Sequence, residues 1–249
     1  MSDKPGAESF SSESLDSALF EAQPAPGLPE AESSAKPSST IKAAVPLSLV
    51  IAALTLFLFA WIAEKVFHEK VLQFDLSVRA WVHQFASPTM TVVMKAFSFI
   101  GETVLVAALI VALIVFLKLH WRRAAWWLTI TMAGALVLDL ALKFGFHRAR
   151  PTPFFGTMPH TYSFPSGHSL FSFCFYGVMA GLLATRIQSL PLRILLWTSA
   201  AVLIGCIGLS RIYLGVHYPS DVLAGYLAAA VWVSSMLAVD RMRNNGKAK

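Results

Sequence analysis

Three short groups of polar residues in this chain could together bind and transfer a phosphate group. In the first, six residues separate Lys143 from Arg150-Pro151. An arginine offers a bidentate fork to phosphate oxygens and a lysine offers a point charge, so two permanent cations beside a proline turn suit a phosphate. The alternative for this group alone is that the cations snorkel from the end of an apolar segment towards water.

The second group is Pro165-Ser166-Gly167-His168, which stands directly before an apolar segment. A serine at a helix start caps the backbone, and a Ser-Gly pair there also presents free N–H groups and the positive end of the helix dipole to an anion. His168 could donate a proton to a leaving group. The alternative is an ordinary helix cap followed by an incidental histidine.

The third group contains Ser210-Arg211, then His217 after five residues, then Asp221 after three more. Pro219 favours a helix start just after His217, which would place Asp221 about one turn from the imidazole, where it can fix the ring tautomer. A histidine oriented by a carboxylate can act as a nucleophile. The alternative is a local hydrogen bond without a catalytic role.

The composition indicates the surroundings in which these groups lie. The chain has 249 residues, of which 56% are hydrophobic and 14% charged, and its mean hydropathy is +0.61. These values exclude a disordered or collagen-like chain, and two cysteines exclude a disulfide scaffold. The 18 basic residues that follow position 40 are interleaved with long apolar runs, which favours a lipid bilayer and an anionic substrate over nucleic acid as partners.

Six apolar segments are close to the roughly 20 residues that cross a hydrocarbon core, and only helices satisfy their backbone groups there. We therefore predict an all-α, polytopic membrane protein with a six-transmembrane-helix bundle. Pro88 should break the region 64–100 into one or two interfacial helices, and the prolines of 143–168 indicate a loop. The predicted spans are about 43–63, 103–119, 124–142, 169–185, 193–210 and 222–239.

The domain organisation follows from the same pattern. Residues 1–40 are rich in Ser, Pro, Ala and Glu, with seven acidic and two basic side chains, and they are predicted to be a disordered acidic N-terminal tail. Residues 41–240 form the membrane domain, and 241–249 form a short basic cytoplasmic tail. Ten lysines and arginines near the span ends lie on the side that holds both termini, and eight lie on the opposite side. Basic residues are more frequent on the cytoplasmic side of membrane proteins. We expect both termini in the cytoplasm of a plasma (inner) membrane, with the three polar groups on the extracytoplasmic face.

Taken together, the three groups closely resemble the type 2 phosphatidic acid phosphatase superfamily, whose signature is K-x6-R-P, P-S-G-H and S-R-x5-H-x3-D. The resemblance covers about residues 43–239, with the three parts in the correct order and spacing. Thr152 stands where many members have a second arginine. The positions that match are Lys143, Arg150, Pro151, Pro165, Ser166, Gly167, His168, Ser210, Arg211, His217 and Asp221.

The resemblance implies a role for each part of the site. His217 would attack phosphorus and form a phosphohistidine, and Asp221 would hold its ring. His168 would protonate the departing oxygen and later activate water. No metal or other cofactor would be needed, because cations and backbone dipoles already compensate the phosphate charge. The groups that would hold the phosphate oxygens are Lys143, Arg150, Ser166, the Gly167 backbone N–H and Arg211.

Two further residues could support the site. Asp139 precedes Lys143 by four residues, so the two share a helix face, and an intramembrane carboxylate is costly unless it is paired. We propose that Asp139 positions or neutralises Lys143; the alternative is simple solvation inside the bundle. Ser210 could support the site as the first residue of the third group. His147, Arg148 and His160 are assigned no role.

The leading functional hypothesis is a membrane phosphatase that acts on a lipid phosphate or diphosphate. An isoprenyl diphosphate such as undecaprenyl diphosphate is preferred, with phosphatidate, phosphatidylglycerol phosphate and lipid A phosphate as alternatives. The related vanadium haloperoxidases are soluble, so six apolar spans argue against that activity. A phospholipid transporter would need more intramembrane polar residues, and a non-catalytic membrane protein would not need the full signature. The oligomeric state stays open.

Overall fold

The computed structural model describes residues 39–246, with side chains described from 49 to 242. The predicted tail therefore lies almost wholly outside the described residues, as do the last three residues of the predicted C-terminal tail. Within this range every regular element is a helix. The helices are α1 Ser39–Phe67, α2 Leu72–His83, α3 Pro88–Lys118, α4 Arg122–Phe146, α5 Gly167–Ala184, α6 Leu190–Tyr213 and α7 Pro219–Gly246.

Six of these helices are long and apolar enough to cross a membrane, namely α1 and α3 to α7, whereas α2 is a short helix between the first two spans. Large apolar side chains cover their outward faces; Phe57 and Val137, for example, are each 67% exposed. In water such a surface would be unfavourable, whereas in a bilayer it contacts lipid chains. The prediction of an all-helical bundle with six spans is confirmed.

The start of the second span differs from the prediction. The hydroxyl of Ser87 accepts a hydrogen bond from the Met90 N–H at 3.2 Å, and Pro88 occupies the first helical position. Proline is favoured there because its missing N–H would have no partner in any case. Pro88 therefore begins α3 instead of breaking an interfacial helix, and α3 continues through a π-helical turn, Ile100–Val104, to Lys118.

The main core lies where α3, α4, α5 and α7 meet. Leu128 and Ala135 of α4 are fully buried against Leu170 of α5 and Ala229 of α7. Alanines at these contacts let the helix backbones approach closely, which is how helices pack inside a membrane. The core thereby fixes the C-terminal end of α4 relative to the start of α5.

Two connections and α2 meet at one end of the bundle. The Phe154 N–H in the α4–α5 loop donates to the Leu214 carbonyl of the α6–α7 connection at 3.0 Å. Arg79 of α2 donates to the carbonyls of Thr152 at 2.9 Å and Gly215 at 3.2 Å. Gly215 has φ +78°, and a Cβ there would lie 2.6 Å from the Phe154 nitrogen, so glycine is needed at this position. These contacts hold both loops in one layer.

Candidate active site

A cleft of about 590 Å³ opens at this end of the bundle. Its polar wall contains side chains from all three sequence groups, although these groups are far apart in the chain. Its other wall is apolar and follows α3 and α4. The polar lining residues are Glu102, Lys143, Arg150, Thr161, His168, Arg211 and His217, and Gly167 also contributes.

His217 lies in the connection between α6 and α7, and only 2% of its side chain is exposed. Its Nδ1 is 3.5 Å from Asp221 Oδ2, and its Nε2 is 2.9 Å from a terminal nitrogen of Arg150. A guanidinium can only donate, so Nε2 must accept and the ring proton must be on Nδ1, facing Asp221. This tautomer leaves the nucleophilic lone pair on Nε2, in the cleft.

Burial also sets the charge of His217. Desolvation lowers the pKa of its imidazole from 6.5 to about 3, although the carboxylate of Asp221 acts in the opposite direction. The nearby cations Arg150 and Arg211 lower this pKa further. His217 is therefore neutral at physiological pH, and a neutral imidazole is the form that can act as a nucleophile.

Asp221 is fully buried in the first turn of α7, where the helix dipole favours a negative charge. Its Oδ2 accepts hydrogen bonds from the Ser163 hydroxyl and from the Tyr218 N–H, the latter at 2.8 Å. Its Oδ1 accepts from Arg148 at 2.6 Å. These partners fix the carboxylate beside the His217 ring.

Arg148, to which the sequence analysis assigned no role, joins this carboxylate to a second one. Its other terminal nitrogen is 2.7 Å from Asp75 Oδ2 in α2. Asp75 is completely buried and also accepts from the N–H and hydroxyl of Ser220, at 2.9 and 2.6 Å. Burial alone would lower the pKa of Arg148, but the carboxylates of Asp221 and Asp75 together raise it. The position of Arg148 two residues before Arg150 could have suggested its role, whereas nothing in the sequence singled out Asp75.

Arg150 is held by the loops on either side of the cleft. It donates to the Thr161 carbonyl at 2.6 Å, to the Thr161 hydroxyl at 2.9 Å and to the Val216 carbonyl at 2.8 Å. Burial lowers the pKa of its guanidinium, but arginine keeps its charge at physiological pH. The guanidinium is therefore fixed next to Nε2 of His217.

Lys143 and Asp139 face each other on α4, with 2.7 Å between the ammonium and Oδ2. The start of α5 contacts this pair directly, because a Cβ on Gly167 would lie 3.1 Å from Asp139 Oδ1 and 3.3 Å from Lys143 Nζ. At the N-cap of α5, the Ser166 hydroxyl is buried and has no hydrogen-bond partner within the described residues. This hydroxyl and the first N–H groups of α5 are available to an anion.

The remaining predicted residues are divided between the cleft and the helix interior. His168 and Arg211 line the cleft, and Arg211 also donates to the Ser98 hydroxyl of α3. Ser210 is absent from the cleft wall, and its hydroxyl donates to the Ile207 carbonyl at 2.6 Å within α6. Glu102 of α3, which the sequence analysis did not consider, also lines the cleft, 3.4 Å from His168 Nε2.

The apolar wall begins next to these polar groups and continues along the helices. Such a cleft can hold a phosphate group at its cationic end and an attached hydrocarbon chain against its apolar side. The apolar lining residues are Leu105, Val106 and Leu109 of α3, Met132 and Leu136 of α4, and Phe171 of α5.

Comparisons with known proteins agree with the fold and with the signature. A model of the PAP2 superfamily matches residues 124–245. Phosphatidylglycerophosphatase B of Bacillus subtilis is 30% identical over 179 residues, which is 69% of this chain and 86% of that protein. A lipid A 1-phosphatase of Rhizobium etli is 34% identical, over 49% of this chain and 52% of the relative. An undecaprenyl-diphosphatase of Sulfolobus acidocaldarius is 33% identical, over 45% and 53%.

A crystal structure shares the fold. It is that of a transmembrane PAP2-type phosphatidylglycerolphosphate phosphatase from Bacillus subtilis, with a TM-score of 0.68 and 23% identity, covering 76% of this chain and 95% of that one. The helical bundle defines the chain as an integral membrane protein of the lipid-phosphatase fold. The chain belongs to the PAP2 superfamily, as its sequence signature indicated.

Proposed function

We propose that this protein is a metal-independent phosphatase that hydrolyses a lipid phosphate or diphosphate through a phosphohistidine on His217. The observation that carries the proposal is the tautomer of His217: Nδ1 faces the buried Asp221, and Nε2 faces a cation-lined cleft that has an apolar wall. The relatives named above are lipid phosphatases, which supports the same activity.

The geometry suggests two displacement steps at one phosphorus atom. In the first, His217 Nε2 forms a bond to phosphorus, the bond to the leaving oxygen breaks, and His168 donates a proton to that oxygen. Asp221 stabilises the positive charge that the imidazole acquires. In the second step, water attacks the phosphohistidine, His168 accepts its proton, and inorganic phosphate departs as His217 is restored.

The cations supply the charge compensation that the transferring phosphoryl group needs. Arg150 moves its hydrogen bond from His217 to a phosphate oxygen when the substrate enters. Lys143, Arg211, the Ser166 hydroxyl and the Gly167 N–H bind the other oxygens. Apart from this exchange of one hydrogen bond by Arg150, these groups are held by the loops and helices before the substrate arrives, so the reaction needs little further reorganisation of the protein.

For the substrate, we propose an isoprenyl diphosphate such as undecaprenyl diphosphate. The apolar lining residues of the cleft, such as Leu105 and Leu109 of α3, can contact the hydrocarbon chain of an isoprenyl group. The Sulfolobus acidocaldarius relative supports this choice. Phosphatidylglycerol phosphate is the second candidate, because the Bacillus subtilis relative aligns over most of its length.

We further propose that the cleft opens to the extracytoplasmic face of the plasma membrane, with both termini in the cytoplasm. Two exposed positions can test this orientation: Thr157 in the α4–α5 loop and Ser189 in the α5–α6 connection at the other end of the bundle. A membrane-impermeant maleimide should label Thr157→Cys in intact cells and Ser189→Cys only after permeabilisation. The opposite pattern would reverse the proposed orientation.

The activity is tested with the full-length protein, purified in detergent, by measuring phosphate release in the presence of EDTA. The substrates are undecaprenyl diphosphate, phosphatidate, phosphatidylglycerol phosphate and lipid A. His217→Ala is the catalytic variant, and His68→Ala, at an exposed position just after α1, is the matched control. We expect release from undecaprenyl diphosphate by the wild type and by the control, and loss of release in His217→Ala.

The outcomes separate the parts of the proposal. Phosphate release that requires an added metal would contradict metal independence. Faster release from another lipid would identify that lipid, and not undecaprenyl diphosphate, as the preferred substrate. Activity that survives in His217→Ala would contradict the nucleophile. If a folded protein hydrolyses none of the four lipids, a transport or structural role becomes the better explanation.

A further inference from the structure

The π-helical turn Ile100–Val104 of α3 carries a carboxylate into the cleft. Glu102 lies in this turn, and its Oε2 is 3.4 Å from Nε2 of His168 on α5. No signature position lies in α3, so this contact joins an unassigned residue to one of the two catalytic histidines. π-helical turns interrupt regular helices and are frequent at functional sites.

The same turn packs against the ring of His168. Gly101 is buried, and a Cβ there would lie 3.2 Å from His168 Cδ2 and 2.5 Å from Ile207 Cγ2. The backbone of α3 therefore lies so close to the imidazole that any side chain larger than that of glycine would crowd it. Gly101 thus fixes the distance at which Glu102, the next residue, meets the histidine.

This contact is the one that the described residues offer to Nε2 of His168. His168 Nε2 is buried and forms no regular hydrogen bond there. The side chain of Glu102 is 71% exposed, so burial in the core does not hold it in place. A carboxylate on a membrane-spanning helix is costly and usually marks a functional site. The direct side-chain contact that the structure gives Glu102 is with the imidazole of His168, and Arg211 lines the same cleft.

We propose that Glu102 is a positioning residue that holds the imidazole of His168 in place and in its protonated form, ready to donate a proton to the leaving oxygen. This inference rests on the proposed phosphatase function. Glu102 acts through His168 and does not contact the transferred phosphoryl group. Its carboxylate faces the Nε2–H group, and its negative charge favours the imidazolium over the neutral ring until this proton passes to the leaving oxygen.

Other charged groups also act on His168 and have to be considered in any pH experiment. Arg211 of α6 carries a positive charge and lines the same cleft as His168. Lys143 of α4 lies next to the adjacent Gly167, and His217 lines the same cleft. Arg211 and Lys143 are cations that repel a protonated ring, whereas Glu102 brings a carboxylate to this part of the cleft wall.

The test is a double-mutant cycle with Glu102→Gln and His168→Asn in the full-length, detergent-purified protein. Glu102→Gln keeps the size of the side chain and removes its charge. We expect it to lower kcat about tenfold to a hundredfold, with a smaller change in KM, because one charge-assisted hydrogen bond is lost. In the His168→Asn background the same substitution should have no further effect. Glu102→Asp should retain part of the activity.

The pH profile separates a positioning role from a structural one. In Glu102→Gln the alkaline limb of kcat should begin at a lower pH than in the wild type. Glu69→Gln, in the exposed connection before α2, is the matched control and should leave kcat and the profile unchanged. Equal losses from Glu102→Gln with and without His168 would overturn the proposal, as would a Glu102→Gln variant that is more active than the wild type.

A second measurement does not depend on turnover. In protein labelled with ¹⁵N-histidine, the ring signals of His168, assigned with His168→Asn, should report loss of the proton at a lower pH in Glu102→Gln than in wild type and Glu69→Gln. An unchanged titration would refute the role of Glu102 even if the enzyme is active. If the titration shifts but no lipid is hydrolysed, the contact is confirmed and the proposed reaction is wrong.

Discussion

Arg150 donates a hydrogen bond to Nε2 of His217 across 2.9 Å, so the residue proposed to bind the phosphate contacts the nitrogen proposed to attack it. This contact fixes the neutral tautomer of His217 with its proton towards Asp221. Under the proposed mechanism, a phosphate group has to take over the guanidinium before His217 attacks. The proposed mechanism thereby couples substrate binding to release of the nucleophile through one side chain.

Arg150→Lys should therefore reduce activity although it keeps the positive charge. A lysine keeps the positive charge but cannot make the hydrogen bonds to Thr161, Val216 and His217 that the guanidinium makes. We expect kcat/KM to fall about 100-fold, since at least two charge-assisted hydrogen bonds are lost. Steady-state phosphate release measures the effect. Arg122→Lys, at the exposed start of α4, is the control, and equal activity of the two variants would rule out the guanidinium geometry as the cause.

Asp75→Asn should destabilise the bundle although Asp75 lies in α2, outside every signature motif. The substitution removes one of the two carboxylates that compensate the buried guanidinium of Arg148. Breaking a buried ion pair costs about 3 kcal/mol. A thermal unfolding midpoint measured in detergent should fall by several degrees, and kcat should fall with it because Arg148 also holds Asp221.

Asp240→Asn provides the comparison for Asp75→Asn. It breaks an Asp–Arg pair of the same kind, but Arg123 in that pair is 67% exposed. Exposed pairs contribute about 0–1 kcal/mol, so this variant should unfold close to the wild-type temperature. If both variants lose the same stability, the buried network around Arg148 contributes no more to the free energy of unfolding than the exposed pair does.

Asp75 and Pro88 show which features of this protein the sequence could predict. The six spans follow from hydrophobic length, and the three polar groups follow from residue type and spacing, so both were predictable. Pro88 was misread because proline is equally compatible with a helix break and with the first helical turn; the choice depends on the Ser87 cap. The partners of Asp75, Arg148 and Glu102 come from different helices, and only the packing of α2 and α3 against the loops brings them together.

Acid should weaken the fold through His217. The pKa of this histidine falls from 6.5 to about 3 on folding because of burial, so the unfolded chain binds the proton more readily than the folded one. The stability that the neutral ring contributes is complete above about pH 6.5 and is lost as the pH falls towards 3. At pH 5 the loss should be about 2 kcal/mol, since one pKa unit corresponds to about 1.4 kcal/mol.

Unfolding midpoints of the wild type and His217→Gln between pH 7.5 and 4.5 measure this contribution. The wild type should lose more stability than the variant on acidification, because glutamine has no proton to gain. His68→Gln, which keeps His217, should follow the wild type. Parallel curves for wild type and His217→Gln would mean that the buried ring does not control the acid sensitivity.

Asp139→Asn tests whether the carboxylate on α4 positions the ammonium of Lys143. Asp139 is 4% exposed, and its Oδ2 is 2.7 Å from Lys143 Nζ, while Oδ1 has no partner within the described residues. Removing the negative charge would strengthen the attraction of the cleft for phosphate, but it would also release the lysine from its fixed position. A charge-assisted hydrogen bond contributes about 1.5–3 kcal/mol, so we expect the loss of position to dominate and kcat to fall about tenfold or more.

Asp139→Glu, which keeps the charge, should retain more activity than Asp139→Asn. If Asp139→Asn changes neither phosphate release nor the unfolding midpoint, the pair has no positioning role, because a buried ammonium that needs no counterion must already be held by other groups.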